Sequence, residues 1–164
     1  MKNYILTEDQ VAKKLQRMAY EIAERNVGEE SLIMAGIKEN GVVIAAKLKE
    51  LLAGIFKGSI EVMEIEVDDK RFPRKISLSK TINFDNAVVI VVDDVANSGK
   101  TMLYALQPFV HDQPKKIQTL ALVDRTHKTF PVHTDYIGFA LATTLQEHIF
   151  VEVQNGKITG AWLE

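Results

Sequence analysis

The chain has 164 residues, 46% of them hydrophobic and 26% charged, with nine Gly and four Pro; this balance suits one soluble domain that buries about 70% of its unfolded surface. Twenty Lys and Arg against twenty-two Asp and Glu leave a formal net charge of -2, so the whole-chain field gives no reason to expect nucleic acid or an anionic membrane as partner. With no Cys, disulfide frameworks, thiolate nucleophiles, cysteine-zinc sites and iron-sulfur clusters are excluded, while a polar start and no apolar run near the ~20 residues of a membrane span predict a cytoplasmic protein.

Thr7 followed by Gln10 forms a capping box, and Val11, Leu15, Met18, Ala19 and Ile22 recur at helical spacing, which predicts a helix from Thr7 to Asn26. Leu32 to Gly36 is short and apolar on both parities, as a strand covered on both faces would be. Val42 to Leu52 is apolar all round and closes at Gly54, so it reads as a packed helix. Ile60 to Val67 is β-branched and alternates Met63, Ile65 and Val67 against Glu64 and Glu66, a strand with one wet face whose pattern slips between Val62 and Met63 as at a bulge. Asp68 to Lys80 lacks periodicity and reads as a long loop or mobile hairpin, a length usually functional inside a compact domain. Ala87 to Val92 is the most hydrophobic run and suits a central parallel strand ending at Asp93-Asp94. A helix follows Gly99 through Met102, Leu103, Leu106 and Phe109, and Ile117 to Val123 supplies another strand. Strand-helix-strand order implies parallel pairing and right-handed crossovers. In the tail, His148 to Val153 and Lys157 to Leu163 flank Asn155-Gly156, a two-residue hairpin signal.

In an open α/β sheet, ligands bind beyond the carboxyl ends of the strands. Three polar stretches fall there: Gly36 to Gly41, Asp93 to Thr101, and Asp124 to His127. In the middle one, two carboxylates precede Asn97-Ser98-Gly99-Lys100-Thr101, small and hydroxyl residues that open a helix and offer backbone N–H groups to a phosphate. Carboxylates one turn earlier cannot bind that phosphate, so they serve hydroxyls or a divalent cation on an adjoining part of the ligand. A sugar phosphate satisfies both demands. The plainer reading is that Asp93 and Asp94 only satisfy helix amides while Gly99 eases a turn. A Walker P-loop is discarded, because its first Gly would stand where Asp94 is.

The stretch VVIVVDDVANSGKTM, Val88 to Met102, resembles the phosphoribosyl pyrophosphate signature of type I phosphoribosyltransferases. Ile5 to Leu52 and Leu122 to Leu163 resemble the bacterial pyrimidine operon attenuators that are also uracil phosphoribosyltransferases, through ERN at 24–26, GIK followed by Gly41, and LVDR at 122–125 with His127. The resemblance implies an α/β fold: a twisted, mainly parallel sheet flanked by helices, with a flexible loop, a small hood and a C-terminal hairpin. It implies that Asp93 and Asp94 bind the ribose hydroxyls and Mg2+, that Ser98, Gly99, Lys100 and Thr101 hold the 5′-phosphate, and that Ala96 and Asn97 also contact phosphoribosyl pyrophosphate. Ile37, Lys38 and Glu39 would receive pyrophosphate, Lys38 and Arg74 would assist catalysis, and Arg125, Tyr136, Ile137 and Gly138 would hold the base. The implied partners are phosphoribosyl pyrophosphate and a nucleobase, in a homodimer without membrane contact.

The chain departs from the pattern in places. Purine-type relatives carry an Asp as general base where this chain has Asn97, and an amide cannot take up a proton near neutrality; uracil is therefore the expected base. The attenuators have a polar, lysine-containing hood segment where Ile137 to Ala142 is apolar, Thr-Arg where Glu39-Asn40 stands, and Gly in place of Thr126. The alternative function is an RNA-binding regulator that keeps the fold as a nucleotide sensor. RNA would require a basic first helix, and the mixture of Glu8, Asp9, Glu21 and Glu24 with Lys13, Lys14, Arg17 and Arg25 weakens that reading. His111, His127, His133 and His148 lack metal-ligand spacing, Arg71, Arg74, Lys70 and Lys75 form either a solvated charge run or the closing loop, and Phe150 and Trp162 read as core or subunit contacts.

Overall fold

The computed structural model describes residues 2–144 and 146–164. In chain order its elements are β1 (Asn3–Thr7), α1 (Glu8–Arg25), β2 (Ser31–Ile37), α2 (Asn40–Leu52), β3 (Ser59–Val67), β4 (Ile76–Leu78), β5 (Val88–Ala96), α3 (Lys100–Ala105), α4 (Gln107–Val110), β6 (Lys116–Arg125), β7 (Tyr136–Leu141), β8 (Ile149–Gln154) and β9 (Lys157–Leu163). Six strands form one sheet in the order β4-β3-β2-β5-β6-β7, and three form another in the order β1-β9-β8. In the larger sheet every pairing is parallel except that of β4, which returns antiparallel along β3. The chain leaves β2 for β3 on one side, then builds β5, β6 and β7 outward on the other. Such a reversal opens a crevice beyond the carboxyl ends of the two strands that flank it, here Ile37 and Ala96.

The expected capping box starts α1: the Gln10 N–H donates to Thr7 Oγ1 (3.3 Å) and the Thr7 N–H to Gln10 Oε1 (2.9 Å). Val11, Leu15, Met18, Ala19 and Ile22 are its buried face, and Leu15→Ala there would cost about 2–5 kcal/mol. Parity along β5 separates two layers. Val88, Ile90 and Val92 pack with α1 and α2, whereas Val89 and Val91 pack with Met102, Ala105 and Phe109 of the short helices.

Several expectations need correction. No bulge interrupts β3, whose pairing with β2 runs unbroken from Ser31↔Ser59 to Ile37↔Ile65. Its pattern slips because both faces are covered: Ile60 and Val62 meet the α1–α2 layer, Met63 and Ile65 the opposite one. Strand β5 does not end at Val92 but continues through Asp93 and Asp94 to Ala96, with β6 alongside as far as Asp124. The helix expected from Gly99 through Phe109 is divided into α3 and α4 around Leu106, since Pro108 has no N–H for the Tyr104 carbonyl and its ring crowds that group. The stretch expected to be loop or hairpin is a hairpin, with β4 on β3 and the turn 68–75 between them.

At the end of the chain, Asn155 (φ 51°) and Gly156 (φ 73°) make the expected tight turn between β8 and β9. Strand β1, which the sequence reading missed, pairs antiparallel with β9 and completes the smaller sheet. That sheet sends Ile149, Val151, Ile158 and Ala161 into the α1–α2 layer. The apolar stretch from Ile137, expected in the hood, instead belongs to β7 and ends the large sheet beside β6.

Candidate active site

The first wall of the crevice is the loop between β2 and α2. A Cβ on Gly41 would lie 2.4 Å from the Val92 carbonyl oxygen, so the first turn of α2 rests directly on the backbone of β5 and only Gly fits there. The N-terminal residue Glu39 makes no side-chain cap, which leaves first-turn N–H groups of α2 without a side-chain partner, as an anion site requires. The Lys38–Glu39 peptide is cis, and Lys38 Nζ lies 3.9 Å from Glu66 Oε2. Lys38, Glu39, Asn40, Glu66, Asp68 and Lys70 line a cavity of ≈ 570 Å³.

The second wall is the end of β5. Asp93 is only 4% exposed, and its carboxyl is pushed well above the ordinary carboxylate range, first by burial and then by the adjacent Asp94 charge, with Lys70 acting in the opposite direction. The Asp94 N–H donates to Asp93 Oδ1 (2.9 Å). Asp94 itself accepts from the Val95 N–H at Oδ1 (2.8 Å) and from Asn40 Nδ2 at Oδ2 (2.8 Å). A buried acid held next to a like charge is unfavourable until a cation or hydroxyl donors arrive.

The third wall is the turn into α3. Gly99 adopts φ 86° in the left-handed region, and Ser98 is fixed from behind, because its carbonyl accepts from the N–H groups of Thr129 and Phe130 (3.0 Å each). Asp93, Asp94, Asn97, Ser98, Lys100 and Thr101 share a cavity of ≈ 470 Å³ with Asn40, Lys70, Arg71, Ile149, Phe150 and Val151. Asn40 and Lys70 line both cavities, so the two adjoin at the mouth of the crevice.

The sequence-derived candidates divide accordingly. Asp93, Asp94, Asn97, Ser98, Lys100, Thr101, Lys38 and Glu39 meet at the mouth, while Gly99 and Ala96 shape the turn. Ile37 is fully buried and contributes only the backbone that leads into the first loop. Arg74 lines neither cavity: Asp68 Oδ1 accepts from the N–H groups of Arg74 (3.0 Å) and Lys75 (3.1 Å), a turn that puts Lys70 and Arg71 at the mouth instead. Those two amides hold the exposed Asp68 carboxyl below the usual range.

The base-side candidates are displaced more. Tyr136 opens β7 opposite Leu120, at the far end of the sheet. It is fully buried, donating its hydroxyl to Gln118 Oε1 (2.9 Å) and accepting from Asn26 Nδ2 (3.2 Å). The carbonyls of Ile137 and Gly138 are occupied by Arg17 Nη2 (3.0 and 2.7 Å). Arg125 reaches the end of β6, but its guanidinium donates to the carbonyls of Thr144 (3.3 Å) and Glu147 (2.6 Å) and lines neither cavity. The mouth is closed by β8 instead, where Phe150, 41% exposed, stacks on Trp162 at 4.4 Å. The sequence reads Phe150 as a core or subunit contact, and an aromatic in the terminal hairpin is the one signal for this wall.

Among the described residues no three His, Cys, Asp or Glu side chains converge as a metal site. The Asp93–Asp94 pair nonetheless fits one ion whose other ligands come from substrate oxygens and water, the usual manner of Mg2+.

A model of the phosphoribosyl transferase domain matches residues 3–154. The bifunctional protein PyrR of Streptococcus gordonii is 35% identical over 146 residues, 86% of this chain and 84% of that protein. That of Clostridium kluyveri is 31% identical over 161 residues, 93% and 91% of the two chains. Among solved structures, a hypoxanthine-guanine phosphoribosyltransferase of Bacillus anthracis superposes with a TM-score of 0.77 at 22% identity, over 98% of this chain and 97% of that one. A Trypanosoma cruzi hypoxanthine phosphoribosyltransferase in a ternary substrates complex gives 0.79 at 16% identity, over 98% and 94%. At these identities the structural likeness concerns the fold.

Proposed function

The chain belongs to the phosphoribosyl transferase domain family, and from that premise we propose that it transfers phosphoribose from phosphoribosyl pyrophosphate to a nucleobase, with uracil as the acceptor. The observation that carries this reading is the buried Asp93 beside Asp94, facing the turn 97–101 across a mouth of ≈ 470 Å³ at the reversal of strand order. Carboxylates and the first-turn N–H groups of α3, of which Lys100 N–H now donates to Ser98 Oγ (3.3 Å), match a sugar with hydroxyls at one end and a phosphate at the other.

In this reading Asp93 and Asp94 accept from the ribose 2′- and 3′-hydroxyls, while the backbone of Ser98 to Thr101, with the Ser98 and Thr101 hydroxyls, holds the 5′-phosphate. Lys38, Lys70 and Arg71 stand where pyrophosphate departs, and their positive charge stabilises the negative charge that develops on it. Mg2+, held by Asp93 and Asp94 together with substrate oxygens, would supply further charge neutralisation. No side chain acts as nucleophile. Among the described residues β8 is paired only by β9, so apart from the Val151 carbonyl, which accepts from Asn40, its outer backbone groups can meet the edge of a base, and Phe150 offers a face for stacking. Asn97 supplies no carboxylate for a purine ring nitrogen, which favours a pyrimidine.

The RNA-binding alternative is weakened by the first helix. Lys13 pairs with Asp9 at 2.8 Å, and Arg17 is engaged by Glu21 and two β7 carbonyls. Isothermal titration with phosphoribosyl pyrophosphate and Mg2+, followed by turnover of uracil, hypoxanthine and guanine, tests the assignment. Saturable binding with nucleotide formation supports it; binding without turnover of any base favours the regulatory alternative.

A further inference from the structure

Lys100 belongs to the turn assigned above to the 5′-phosphate, yet its side chain is directed elsewhere. Its ammonium group donates to the Arg71 carbonyl (2.9 Å) at the tip of the 68–75 turn. The same nitrogen lies 5.3 Å from the centre of the Phe72 ring and 5.9 Å from that of Phe130. Phe72 is 66% exposed, an apolar ring in a turn otherwise made of Asp, Lys, Arg and Pro, and burial does not account for it. A cation held over its face does. Phe130 belongs to the segment that grips the Ser98 carbonyl, so the phosphate turn, its support and the 68–75 turn meet at one ammonium group.

We propose that Lys100 is a positioning residue that fastens the 68–75 turn over the mouth before substrate arrives, holding Lys70 and Arg71 where pyrophosphate will lie. This rests on the phosphoribosyl transfer reading, and it deepens that reading by separating the two ends of the donor. The 5′-phosphate is held by the backbone at 98–101, whereas the pyrophosphate end depends on a turn that Lys100 keeps in place. Pre-positioning the turn lowers the ordering cost of binding the larger ligand. It has no such effect on a ligand that lacks pyrophosphate.

The experiment compares wild type with Lys100→Met, Lys100→Arg and Phe72→Ala. Hydrogen exchange of the ligand-free protein should accelerate about tenfold across 68–75 in Lys100→Met, because a charge-assisted bond that holds the turn is lost. Affinity for phosphoribosyl pyrophosphate with Mg2+ should fall about tenfold in that variant, while affinity for ribose 5-phosphate stays within about twofold of wild type. KM for the donor should rise while kcat changes little. Lys100→Arg should restore exchange and affinity, since a guanidinium also donates to a carbonyl and stacks on a ring. Phe72→Ala should fall between. Unchanged exchange in Lys100→Met overturns the proposal. So does an equal loss of affinity for both ligands, which would make Lys100 a direct phosphate ligand. If wild type binds neither ligand, the phosphoribosyl reading fails, and exchange in the free protein still decides whether Lys100 holds the turn.

Discussion

Asn40 Nδ2 lies 2.8 Å from Asp94 Oδ2 and 3.2 Å from the Val151 carbonyl oxygen. One amide therefore ties the start of α2 to the acidic pair and to β8. Asn40→Ala should reduce stability by about 1–2 kcal/mol and weaken phosphoribosyl pyrophosphate binding, because Asp94 loses the donor that orients it. Asn40→Asp should weaken binding further by adding a third carboxylate. Thermal unfolding and titration of the two variants check both effects; equal binding by all three proteins would reduce Asn40 to a packing residue.

The double change Asp93→Asn with Asp94→Asn should leave the fold intact and reduce phosphoribosyl pyrophosphate affinity by at least ~10-fold, or ~1.4 kcal/mol, through loss of charged hydrogen bonds to hydroxyls. Calorimetric titration against wild type measures it. Unaltered affinity would make the pair a structural cap.

Asp93 alone has an effect of opposite sign on stability. Its carboxyl is raised in the fold above the unfolded value of 3.8, so between those values the native state keeps a proton that the unfolded chain has released. Stability then falls as pH rises through that window. Asp93→Asn removes this loss, and without ligand it should exceed wild type in stability near neutral pH. The two proteins should converge as pH falls toward the ordinary carboxylate range. Melting curves across pH decide it: a variant less stable than wild type at neutral pH would contradict the burial argument.

Asn97 leads to an order among bases. Uracil should exceed hypoxanthine and guanine in kcat/KM, because a general base at that position contributes roughly 10²- to 10⁴-fold for purines. Asn97→Asp should raise purine turnover if the mouth admits the larger ring. Side-by-side rates for the three bases in wild type and variant provide the measurement, and purine turnover at or above that of uracil in wild type would overturn the pyrimidine assignment.

Tyr136 should behave as a structural residue. Tyr136→Phe removes a hydroxyl shared with Gln118 and Asn26, which still bond each other, and should cost about 0.5–1.5 kcal/mol. KM for the base should not change. A raised KM with unaltered stability would return Tyr136 to the base site.

The parts of this protein that are legible in its sequence are those whose partners lie nearby in the chain. The Thr7 capping box, the Val88 to Val92 strand and the Asn155-Gly156 turn are local patterns with one structural solution each, and VVIVVDDVANSGKTM joins composition to a strand-turn-helix order. The base side is different. Phe150 lies on a hairpin that Asn155-Gly156 predicts, but where that hairpin docks, with β1 added beside β9, local periodicity does not reveal. Tyr136 came to the base side through the resemblance alone, and its burial against Gln118 and Asn26 is a long-range pairing that no local pattern announces. Arg74 was preferred to Lys70 and Arg71 in a run of four cations, and what selects among them is a turn wound around the Asp68 carboxylate, a three-dimensional fact.

The contact between Gly41 and the Val92 carbonyl sets the distance between the first loop and β5 with backbone atoms alone. The side chains of Lys38 and Glu39 are then carried on a frame that their own identities do not determine. For laboratory evolution this makes positions 38 and 39 tunable: a library there would change affinity for the pyrophosphate end while melting temperatures stay nearly uniform. Gly41 is the opposite case, where even one added methyl group would force α2 away from β5.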